Sequence, residues 1–84
     1  MELIKTKPIG DNTLSIVDLA GSNGGKWRIA RVIRVIETQG SFQGANRTNV
    51  VREHFSSKYD GRSKKQKAES LTAATKAFDA VQQN

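Results

Sequence analysis

The chain has 84 residues, 14 Lys/Arg against 8 Asp/Glu, a formal net charge of +6 and a pI near 10.1. That length implies one domain, residues 1–84, whose modest core leaves little room for a deep small-molecule pocket. The absence of cysteine excludes disulfides and thiolate metal sites, and the single histidine, His54, builds no metal site alone.

Pro8 and Gly10 punctuate the start, and Leu3 to Lys7 reads as a short edge strand that Pro8 ends for want of an N–H. From Asn12 to Ala20, Leu14 and Ile16, with Ala20, alternate with Thr13 and Ser15, the period of a half-buried strand. Gly21 to Gly25 holds three glycines and an asparagine, which suit a hairpin turn rather than a phosphate loop.

Lys26 to Glu37, KWRIARVIRVIE, has five β-branched residues, which fit a pleated sheet better than a helix. As a strand it places Trp27, Ile29, Arg31, Ile33 and Val35 on one face and Lys26, Arg28, Ala30, Val32, Arg34 and Ile36 on the other. Neither face is cleanly polar, as suits a central strand, and a bulge near Ala30 to Val32 would tidy the pattern. A helix remains the alternative, since Arg28, Arg31 and Arg34 recur every third residue.

Thr38 to Arg47 reads as a loop containing Phe42, and Thr48 to Tyr59 as a further strand ended by an Asp60-Gly61 turn. Ser63 to Gln82 is the one helix. Ser63-Lys64-Lys65-Gln66 fits a capping box, and Ala68, Leu71, Ala74 (or Thr75), Phe78 and Val81 form an apolar stripe. The expected fold is α+β: a small antiparallel sheet of three to four strands packed against one C-terminal helix.

No triad, carboxylate dyad or metal cluster is present, so the pattern implies a non-enzymatic chain without cofactor or small-molecule substrate. Charge is the informative feature. Lys26 to Lys67 carries 11 Lys/Arg against 3 Asp/Glu, an excess of +8, while the remainder is net negative. A localised basic surface attracts phosphate-bearing partners. Lys26, Arg28, Arg31 and Arg34 form one set, suited to a positive platform if they share an exposed sheet face. Arg62, Lys64, Lys65 and Lys67 form another at the helix opening, where positive side chains oppose the dipole unless an anion binds. Arg47, Arg52 and Lys58 extend either set. Each set also reads as ordinary solvated charge. Trp27 and Phe42 each have a core reading, which leads, and a base-stacking reading.

Lys26 to Arg34 and Ala73 to Ala80 resemble the central strand and alanine-rich helix of small sheet-plus-helix DNA-binding domains, the AP2/ERF type and the recombinase arm-binding type. In those families the sheet lies in the DNA groove and the helix packs behind it. The resemblance implies Arg28, Arg31 and Arg34 as groove-facing residues. It covers about 17 residues, and Thr38 to Glu69 is longer than the families' final strand and turn.

The expected function is nucleic-acid binding, with DNA ahead of RNA, by phosphate contacts of weak sequence preference. The alternative is a protein-interaction or inhibitor module that docks an acidic partner. Under either, an edge strand could pair with a second copy to give a homodimer. No apolar run nears the ~20 residues of a membrane span. Residues 1–12 lack a signal-peptide core, so the expected location is the cytoplasm.

Overall fold

The computed structural model describes residues 1–20, 30–40 and 49–82. Four strands, β1 (Glu2–Ile9), β2 (Asn12–Ala20), β3 (Ala30–Gln39) and β4 (Val50–Asp60), precede one helix, α1 (Lys64–Ala80). The strands form an antiparallel sheet in the order β1-β2-β3-β4. This is the expected α+β architecture, with β3 in the interior as its mixed faces require.

Ile9 pairs with Asn12 across a two-residue Gly10-Asp11 loop. Gly10 has φ +62°, a left-handed conformation that costs glycine little. β1 runs on through Pro8, which pairs with Thr13, so the proline does not end the strand as expected. An edge strand has one neighbour, and a proline nitrogen facing away from it costs no ladder bond.

Helix α1 lies on the face of Leu14, Ile16, Ile33, Val35 and Tyr59, which with Ala74 and Phe78 form the core. Phe78 is only 1% exposed, and burying a ring of that size contributes about 2–3 kcal/mol. Ser63 caps the helix, its Oγ accepting from the Gln66 N–H at 3.1 Å, an arrangement typically worth about 1 kcal/mol. The box is modified: Gln66 Oε1 accepts from Asp60 N–H at 3.0 Å rather than from the cap. The buried helix positions are Ser70, Ala74 and Phe78, with Leu71 half-buried, whereas Ala68 is exposed. Counting back from Phe78 by 3.6-residue turns gives Ala74 and then Ser70, and Ser70 meets Ser57 by a 2.9 Å hydroxyl contact.

No basic residue lies in the last turn of α1. Lys7, from β1, supplies that charge: its Nζ donates to the carbonyls of Phe78 and Val81, both at 2.9 Å, and lies 4.6 Å from the Phe78 ring centre.

The second sheet face is also buried at Ser15, Val17, Ile36 and Thr38, so β2 is covered on both sides from Leu14 to Asp18. Arg34 and Lys58 project from this face, since they pair with Val17 and Val32. The β3–β4 register is unbroken from Ala30 to Val35, so the bulge expected near Ala30 to Val32 does not occur there. The shifts fall at Val35/Ile36 and Glu37/Thr38 instead. They separate Val51 from Phe55 and Tyr59, with which it shares sequence parity: Val51 is 54% exposed, while Phe55 and Tyr59 face the core.

Candidate nucleic-acid interface

Arg31 and Arg34 are three positions apart on one strand, so they lie on opposite faces of the sheet. The expectation that they form one exposed platform is therefore corrected. Both are also neutralised. Arg31, on the helix side, donates from Nε to Asp18 Oδ1 at 3.2 Å. Arg34 donates to Glu53 Oε2 at 2.6 Å. Lys26, Trp27, Arg28, Phe42 and Arg47 lie outside the described residues.

Asp18 is 1% exposed and is the hub of one end of the sheet. Its Oδ2 accepts from the Tyr59 hydroxyl at 2.6 Å, and Lys67 Nζ stands 3.8 Å away. Burial pushes the Tyr59 phenol up, and its hydrogen bond to the Asp18 carboxylate adds to that rise. Lys67 also reaches Glu2 at 3.9 Å. At the same end Asp60 accepts from the Arg62 backbone N–H at 2.8 Å and from its guanidinium at 3.0 and 3.2 Å. These bonds, the side-chain ones first, hold the Asp60 carboxyl below the usual carboxylate range.

All eight Asp/Glu residues of the chain are among the described residues. Six of them meet a described Lys, Arg or His within ion-pair distance. None reaches Lys64 or Lys65, which are exposed in a first helical turn that has no acidic residue. The Lys64 and Lys65 N–H groups precede the first bond inside the helix, which runs from Lys67 N–H to the Ser63 carbonyl at 3.0 Å, while the Ser63 hydroxyl takes the N–H of Gln66. The structure thus gathers Arg62, Lys64, Lys65 and Lys67 at the opening of α1, with Arg31 tied in behind them through Asp18. Lys58 is exposed on the other face, and Arg52 is exposed on β4 near the far end, beside Glu37.

At that far end Glu37 accepts from Asn12 Nδ2 at 2.7 Å and contacts His54 Nε2 at 3.0 Å. Asn12, then His54, lower the Glu37 pKa, and the charge of Arg52 adds a smaller push. Among the described residues no group of three or more His, Cys, Asp or Glu converges as a metal site would require, and no helix is long and apolar enough to cross a membrane.

The sequence reading missed Asp18 as the residue that claims Arg31. The signal was available: Asp18 shares parity with Leu14 and Ile16, and a carboxylate on a buried parity requires partners. Compared with protein families, curated proteins and solved structures, the chain matches none.

Proposed function

We propose that the protein binds nucleic acid through phosphate contacts at the opening of α1. Lys64 and Lys65 are the principal contacts, with Arg62 and Lys67 beside them. The observation that supports this reading is the pair of exposed lysines with no carboxylate in reach, set where unpaired backbone N–H groups and the helix dipole already favour an anion. The described aromatic residues, Phe55, Tyr59 and Phe78, pack in or against the core. The reading is therefore one of phosphate contacts, with affinity following backbone charge more than sequence.

The test is binding of the full chain to duplex DNA, single-stranded DNA and RNA at two salt concentrations. Binding should weaken linearly in log–log as salt rises, and Lys64→Glu with Lys65→Glu should reduce the slope by about one per lost phosphate contact. Acidic residues in a first turn favour the helix, so this loss does not reflect unfolding. Lys76→Glu, further along α1, is the control. No binding at low salt, or equal binding by the double variant, would overturn the proposal.

A further inference from the structure

β1 and β4 are the outer strands, and β1 is the guarded one. Pro8 lacks a donor, the register slips between Leu3 and Lys5, and Lys5 and Lys7 add charge. Each of these discourages pairing with another chain. The shifts in β4 end at Phe55, and from Phe55 to Asp60 its register against β3 is unbroken. Among the described residues no strand pairs with the outer side of this stretch.

Asp60 shows which backbone groups point outward. Its N–H donates to Gln66 Oε1 at 3.0 Å and its C=O accepts from Ser63 N–H at 2.9 Å, so both face away from β3. Outward residues alternate along an antiparallel strand; Lys58 and Ser56 therefore turn their N–H and C=O the same way. Gln66 does for Asp60 what a neighbouring strand would do, and among the described residues Lys58 and Ser56 have no such substitute.

Beside this edge a groove of about 460 Å³ opens between β4 and α1, walled by Ser57, Tyr59, Gln66, Glu69 and Ser70 and touching Lys58 in the strand between Ser57 and Tyr59. Glu69 has no described cation within ion-pair distance, and Lys58, projecting from the opposite face, has no carboxylate.

We propose that the Phe55–Asp60 edge takes an extended, acidic segment of a partner polypeptide as a fifth strand. Main-chain bonds to Ser56 and Lys58 supply the pairing, and alternate side chains supply the choice of partner. Those on the helix side enter the groove, where short hydroxyls or a lysine suit Ser57, Ser70 and Glu69. Those on the other side meet Lys58 and are acidic. A second copy of this chain fits less well, because it brings another net charge of +6 to the contact. The surface shares no side chain with the Lys64–Lys65 cluster, so either proposal can fail alone.

The probe is the capped hexapeptide Thr-Glu-Lys-Glu-Thr-Glu, titrated to about 1 mM into the isotope-labelled full chain and followed by amide NMR. Shifts and slowed exchange are expected at Ser56 to Lys58. N-methylation of one alternate set of peptide amides should weaken binding at least about tenfold, while the other set is tolerated. Lys58→Glu should shift preference to the peptide with lysines in place of its glutamates. The proposal is overturned by no shift at that concentration, by shifts confined to Lys64 and Lys65, by indifference to N-methylation of either set, or by edge shifts that depend on protein concentration without peptide.

Discussion

The two ends of the sheet carry similar chemistry under different cover. At one end Asp18 joins β2 to Arg31 of β3, Tyr59 of β4 and Lys67 of α1, and is 1% exposed. At the other, Glu37 of β3 joins Asn12 of β2 to His54 of β4, and the Glu37 and His54 side chains keep 15% and 17% exposure with no helical partner. In both, a carboxylate accepts from one neutral donor and faces a basic group. The helix makes the difference: it seals Asp18 from water, so lost partners there cannot be replaced by solvent.

Removing the sealed carboxylate should therefore cost the most stability. Asp18→Ala strands the Tyr59 hydroxyl and leaves Arg31 without its counter-ion, and should destabilise the fold by about 2–4 kcal/mol in urea unfolding. Equal loss from Glu37→Ala would show that the helix is irrelevant to the difference. Tyr59→Phe is gentler, since it deletes one bond to a charged acceptor and leaves Arg31 in place; about 1–2 kcal/mol is expected from the same measurement. The smallest effect belongs to Glu37→Gln near neutral pH, under about 1 kcal/mol. Its distinguishing mark is acid dependence. Glu37 has a lowered pKa in the folded chain, so its contribution is present above the ordinary glutamate pKa and is lost as pH falls through the lowered folded value. Unfolding free energy followed across that acid range should slope less for Glu37→Gln than for the parent; identical slopes would count against the Glu37 network.

The order of elements and the faces of β3 were legible because β-branched density and parity are local. Arg31 falls with Ile33 and Val35, and Arg34 with Val32 and Ile36, as parity requires. The shared platform failed for the same reason: an odd spacing along a strand separates residues that an every-third pattern would group on a helix. The bulges around Val51 and His54 depend on how β4 meets β3, which no local pattern encodes. Ser70 was hidden because a hydroxyl looks solvent-facing until Ser57 arrives opposite it. The helix opening was the part of the candidate site best read in advance, since cap, turn and lysines are contiguous in the chain.

Lys7 reaches the carbonyls of Phe78 and Val81, 71 and 74 positions away. The helix thus borrows its terminal cation from β1, at the opposite edge of the element order. Until that strand is in place, the final turn lacks both its charge partner and the cation over its ring. The sheet and helix are consequently not separable modules: the last helical turn is completed by a contact of very long sequence separation, whose loop-closure entropy the native packing must offset.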